Sequence, residues 1–158
     1  MRVAITSKFV ENMTKEEKKA CYAFSFSGGQ EIFSRSWPVL SDGRLRVFIA
    51  RCNDKIIGWS TCDMTRTKKR ISSYNWGRNS KSVLWWTDSG YEAAVFVNVR
   101  KSFRRKGIGT RLVQKAVDYG RQHKKAVKVF PHDDTSKAFY QKMDVVVGHK
   151  TKLRKQVS

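Results

Sequence analysis

The sequence predicts a mixed α/β fold. Short apolar strands alternate with amphipathic helical stretches, and one β-α-β unit between residues 91 and 130 is regular in its spacing. The chain also has the length and the apolar content of one domain. It has 158 residues, 40% hydrophobic and 12% aromatic, with two prolines and ten glycines. A disordered basic tail would be poorer in aromatic and β-branched residues, and domains commonly run to about 100–150 residues. The expectation is a single domain over residues 1–158, with a basic tail from about residue 150.

The elements follow in order. Residues 1–6 suit a first strand. Thr14-Lys15-Glu16-Glu17 reads as a capping box, in which the Thr hydroxyl and the Glu carboxylate satisfy orphan amides at a helix start. The helix places Ala20, Cys21 and Phe24 on one face and should stop near Gly28-Gly29. Residues 30–36 suggest a second short helix before Trp37-Pro38. Residues 44–51 form a strand, Asn53-Asp54-Lys55 turns, and residues 55–64 return as its hairpin partner. Residues 65–82 are the least regular part and read as a loop or distorted hairpin. Residues 82–87, a turn at Asp88-Ser89-Gly90 and residues 91–100 read as the next hairpin. From there Ile108, Leu112, Val113, Ala116 and Val117 recur at helical spacing, up to about Gly120. Residues 126–130 are a short buried-type strand, residues 135–143 a helix, and residues 145–147 a last strand.

Charge narrows the partners. Lys and Arg number 33 against 13 Asp and Glu, a net charge of +20. The surplus is +4 over residues 1–60, +3 over 61–99 and +13 over 100–158. A field of that size attracts polyanions and raises their encounter rate. Residues Arg66, Lys68, Lys69, Arg70, Arg78 and Lys81 have Tyr74 and Trp76 among them and no acid. Such charge interleaved with aromatics is the composition of a nucleic-acid surface, which makes these six the expected steering residues for a nucleic acid or other polyanion. No apolar run approaches the ~20 residues of a membrane span, and the N-terminus lacks a signal-peptide stretch. Cys21, Cys52 and Cys62 are odd in number and form no C-x-x-C pair, which disfavours a disulfide framework or zinc site and suits a reducing cytoplasmic location. His123, His132 and His149 share no ligand spacing, so no metal is expected.

The chemistry is concentrated in Val97-Asn98-Val99-Arg100-Lys101-Ser102-Phe103-Arg104-Arg105-Lys106-Gly107-Ile108-Gly109-Thr110. A strand enters a basic, glycine-containing turn that opens directly into a helix. Backbone N–H groups and the helix dipole then converge on one spot and make a phosphate seat. Gly-Lys-Ser/Thr is missing, which excludes a Walker loop. Leu112 stands where a dinucleotide fingerprint needs its third glycine. What remains is R-x-x-G-x-G, at Arg104, Gly107 and Gly109.

This pattern resembles the acyl-CoA loop of the GNAT superfamily of N-acetyltransferases. The likeness extends to Val97 and Val99 at a strand end, to Phe103, and to the helical stretch Ser136-Lys137-Ala138-Phe139-Tyr140-Gln141-Lys142-Met143. It covers about residues 93–147, with departures: Asp133 stands where Asn is usual, Ser136 for Ala, Asp144 for Gly and Val145 for Phe. The resemblance implies a mixed, strongly twisted sheet flanked by helices on both faces. It also implies acetyl-CoA as cofactor and direct acetyl transfer to an amine. By the same likeness the main chain of Val97, Asn98 and Val99 pairs with the pantetheine arm. Arg104, Arg105, Lys106, Gly107, Ile108, Gly109 and Thr110 hold the pyrophosphate, and Asp133, Ser136 and Tyr140 border the cofactor.

Tyr140 matches the family's general acid. A thiol near pKa ~8.5 and a Tyr near ~10 differ by about 1.5 units, so full proton transfer runs uphill by roughly 2 kcal/mol. Tyr140 is therefore expected to hydrogen-bond the leaving thiolate. The resemblance implies a Glu base on the fourth strand at a position that falls here on Ala93, one residue after Glu92, and a one-residue offset turns a strand side chain to the other face. Glu92, Asp88 and Asp133 remain open for that role, with Glu92 put first. The acceptor is an amine on or bound to a nucleic acid, such as aminoacyl-tRNA, a modified base or a basic protein. The alternative is a non-enzymatic nucleic-acid-binding module on the same scaffold. A monomer or homodimer that does not bind membranes is expected.

Overall fold

Thr14 starts the first helix by the predicted reciprocal pair. Its hydroxyl accepts from Glu17 N–H at 3.1 Å, and the Glu17 carboxylate accepts from Thr14 N–H at 2.9 Å. These coordinates come from a computed structural model, which describes residues 2–25, 33, 45–63, 83–84, 92–123, 126–129, 134–143, 145–147 and 151–152. The elements are β1 (Ala4–Phe9), α1 (Lys15–Phe24), β2 (Leu45–Cys52), β3 (Lys55–Asp63), β4 (Val83–Leu84) and β5 (Glu92–Val99). They continue with α2 (Ile108–Gln122), β6 (Ala126–Val129), α3 (Asp134–Gln141), β7 (Val146–Val147) and β8 (Thr151–Lys152).

Six strands form one mixed sheet in the order β1-β2-β3-β5-β6-β7. The first four run antiparallel, and β6 and β7 are added parallel. The β2-β3 hairpin turns at Asn53 and Asp54, with φ of 50° and 64°. Both values are positive, as tight two-residue hairpins demand, and Asn and Asp tolerate them.

Helices cover both faces, as neighbouring residues of β3 show. Ser60 donates to the Leu112 carbonyl of α2 at 2.8 Å, while Trp59 donates through Nε1 to Ser25 Oγ, just past α1, at 2.9 Å. The helical stripe predicted from spacing is the buried one: Ile108, Leu112, Val113, Ala116 and Val117 pack with Ala93, Val95 and Val99. Helix α2 lies so close to the sheet that a Cβ on Gly120 would stand 2.6 Å from Val127 Cγ2. On the α1 side, Glu17 is buried and bound by Lys8 Nζ (2.8 Å), Arg51 Nη2 and Thr14 N–H. Burial alone would raise its pKa, but these hydrogen bonds outweigh that and hold it at about 2, below the ordinary 4.5.

Three expectations change. Helix α1 ends at Phe24, short of Gly28, because Ser25 is already extended and is held by Trp59 while its own hydroxyl donates to the Cys21 carbonyl. Strand β4 is not the hairpin partner of β5; it pairs antiparallel with β8. The reason is that both edges of β5 are in use, by β3 over Ala94–Val99 and by β6 over Glu92–Val95. The tail expected from residue 150 accordingly contributes Thr151 and Lys152 to a ladder. The helix expected at 30–36 (Phe33 apart) and the irregular stretch 65–82 lie outside the described residues.

Candidate active site

Among the described residues, strand β5 has a neighbour on both sides in its first half and on one side in its second. Among these residues its parallel pairing with β6 covers Glu92–Val95, whereas its antiparallel pairing with β3 continues to Val99. Beyond Val95 that edge of β5 has no strand partner among the described residues. Arg100 N–H donates to the Ile57 carbonyl at 2.8 Å. In an antiparallel ladder successive residues turn their backbone to alternate edges. Residues 96, 98 and 100 thus bond β3, and Val97 and Val99 present their N–H and C=O groups to the other edge. The Val99 carbonyl is already occupied, because Arg104 Nε donates to it at 3.0 Å. That second task of Arg104 is invisible in the motif. Asn98 turns to β3, and its buried side chain donates to the Phe24 carbonyl at the end of α1, at 3.2 Å.

The loop after β5 ends at an anion-ready helix start. Gly107 is the N-cap of α2 at φ 78°, and no side chain caps the first turn. The N–H groups of Ile108, Gly109 and Thr110 are left for a ligand. Gly107 is required by its backbone, since a Cβ there meets nothing within 4 Å. Arg105 also lies in the left-handed region, at φ 61°. The side chains of Arg104, Arg105, Lys106 and Thr110 are exposed. Gly109 faces α3: a Cβ on it would sit 3.4 Å from Phe139 Cζ.

Next to Phe139, Tyr140 is 2% exposed and packs in the cluster that contains Val99, Ile108 and Leu112. Burial pushes its phenol above the usual 10, so at working pH it is a neutral donor. Its hydroxyl makes no hydrogen bond among the described residues. Glu92 begins β5 opposite Ala126, five positions before Val97 and so roughly 16 Å along the strand. Ala93 is fully buried in the core under α2. Ser136 belongs to α3. Asp133 and the six steering residues Arg66, Lys68, Lys69, Arg70, Arg78 and Lys81 lie outside the described residues, as does Asp88. No group of three or more metal-binding side chains occurs among the described residues, and no described helix is long and apolar enough to cross a membrane.

A strand edge with no partner among the described residues, leading into a basic helix start without a side-chain cap, suits an extended ligand that carries phosphates. Comparison with known proteins gives the class. The profile of the acetyltransferase (GNAT) family matches residues 10–144, and the chain belongs to that family. It is accordingly an acyl-CoA-dependent N-acetyltransferase, with acetyl-CoA as its cofactor. Among solved structures it is similar to the aminoglycoside N-acetyltransferase AAC(6')-Iy in complex with CoA, at 14% identity and a TM-score of 0.62, with 99% of this chain and 96% of that one covered. A putative acetyltransferase from Exiguobacterium sp. 255-15 matches at 16% identity and a TM-score of 0.63, covering 95% and 90%. An N-acetyltransferase from Staphylococcus aureus Mu50 matches at 15% and 0.57, covering 90% and 82%. No curated protein sequence matches the chain significantly.

Proposed function

We propose that the chain, as a single domain, moves an acetyl group from acetyl-CoA to an amine at the end of β5. The observation that carries this is the meeting of the β5 edge beyond Val95 with the uncapped start of α2. When bound, acetyl-CoA supplies the acetyl group activated as a thioester. The N–H of Val97 and of Val99 and the C=O of Val97, unpartnered among the described residues, pair with an extended arm as an added strand would. One of those N–H groups can polarise the acyl carbonyl. Arg104, Arg105 and Lys106, with the amides from Gly107 to Thr110, hold the pyrophosphate, and Asp133 and Ser136 border the cofactor. Tyr140 keeps its proton and donates it as a hydrogen bond to the sulfur. Glu92 serves as base only through intervening water, and an amine that arrives neutral needs no dedicated base.

The acceptor is read as an amine carried on, or delivered by, a polyanion such as aminoacyl-tRNA. Supporting this are the surplus of +13 over residues 100–158 and the acid-free basic run at 66–81. A second reading, an aminoglycoside, is favoured by the activity named for AAC(6')-Iy and meta-AAC0020. A cationic surface works against that reading.

The test is calorimetric titration with acetyl-CoA at low and high salt, with ATP as control. Binding of acetyl-CoA that survives high salt while ATP fails supports a shaped site. Equal binding of both that vanishes with salt reduces the loop to a basic patch. Rates of CoA release with aminoacyl-tRNA and with an aminoglycoside then separate the acceptors. RNA that is not retained in a gel shift even at low salt removes the polyanion.

A further inference from the structure

Beside the end of β5 lies an open cavity of about 510 Å³, lined by Phe24, Lys55, Arg100, Lys101 and Ser102. Phe24 brings it to the α1 side of the sheet, whereas the loop amides belong to the start of α2 on the other face. Arg100 is held in place: its Nε donates to the Ile56 carbonyl at 2.8 Å, and its guanidinium lies 4.7 Å over the Phe24 ring. Phe24 is tied down in turn by Asn98, through its carbonyl. The terminal nitrogens of Arg100 retain four N–H donors, none of which is used among the described residues. Lys55 and Lys101 are exposed and form no ion pair there. Three cations around one cavity, with no carboxylate among the described lining residues, repel one another until an anion enters. A fixed guanidinium fork beside two mobile ammonium groups suits a doubly charged phosphate.

We propose that this cavity is a second anion site, separate from the amides of Gly107–Thr110, and that it takes a phosphate monoester. The proposal rests on the acetyl-CoA reading of the neighbouring loop. Two sources supply that chemistry here: the ribose 3′-phosphate of coenzyme A and a phosphate borne by the acceptor.

Inorganic phosphate is titrated calorimetrically into the wild-type chain and the Lys55→Gln/Lys101→Gln variant. Each is first saturated with CoA or with dephospho-CoA, which lacks only the 3′-phosphate, so that the pyrophosphate seat is filled. Phosphate should bind the dephospho-CoA-loaded wild type and bind the variant about tenfold more weakly. With the cofactor as source, the CoA-loaded wild type takes up no phosphate, and the variant weakens CoA but not dephospho-CoA. With the acceptor as source, both loaded forms take up phosphate alike. Phosphate that does not bind the dephospho-CoA-loaded wild type, or binds the variant equally well, overturns the proposal. Failure of the cofactor reading is distinct: neither CoA nor dephospho-CoA would then saturate the wild type, and the proposal would fall with it.

Discussion

Two single residues test the site most directly. Tyr140 is buried, and its hydroxyl has no partner among the described residues. Tyr140→Phe should therefore leave the thermal midpoint unchanged while lowering kcat by about 10²-fold at unchanged KM for acetyl-CoA. Because burial raises the phenol above 10, it stays protonated through neutral and mildly alkaline pH. The ratio of wild-type to Tyr140→Phe rates should be flat from pH 6 to 9; a ratio that narrows over that range would contradict a neutral donor. Gly107 is the complementary case, since its φ of 78° penalises any side chain by its backbone alone. Gly107→Val should cost roughly 1–2 kcal/mol of stability and abolish acetyl-CoA binding by calorimetry. Retained turnover would show that the loop is not the cofactor seat.

Among the elements, α2 and α1 are fixed to the sheet by different means. Helix α2 docks by close approach, and Gly120 permits it: Gly120→Ala would bring a methyl to 2.6 Å from Val127. Overpacking of that kind costs roughly 1–3 kcal/mol, readable as a lower calorimetric midpoint. Helix α1 is tied by charge through Glu17, Lys8 and Arg51. Removing that carboxylate with Glu17→Gln leaves two cations with less to bind and should cost roughly 2–4 kcal/mol at pH 7. The sign of its pH dependence follows from a pKa lowered to about 2. The Glu17 contribution is complete above pH 4.5 and is lost as pH falls toward 2. Denaturation midpoints of wild type and variant should therefore differ at pH 7 and converge near pH 2.

On the scale of the whole molecule, +20 charges lie on a fold whose cofactor is itself anionic. Much of the sheet was legible in advance. Alternation located β2 and β3, Asn53-Asp54 located their turn, and three-four spacing located α2 and its buried face. The candidate site was legible where it is local: Arg104, Gly107 and Gly109 lie within six residues and report one loop. Pairing partners were not legible. Residues 82–87 carry a strand's composition, but nothing in them says that β3 and β6 already occupy β5. The Phe24, Lys55 and Arg100 cavity was also hidden, since its lining comes from three distant segments.

The sequence by itself determined the helix start at Thr14, the α2 stripe, the glycine-containing turn into α2 and the class of chemistry. These depend on backbone propensity and on residues within a turn or two of one another. Only the tertiary structure decided that β6 pairs with β5 over Glu92–Val95, that Arg104 closes the Val99 carbonyl, and which cations share a cavity with Arg100. Those outcomes depend on which strands compete for one set of backbone hydrogen bonds, and that competition is settled only when the whole sheet assembles.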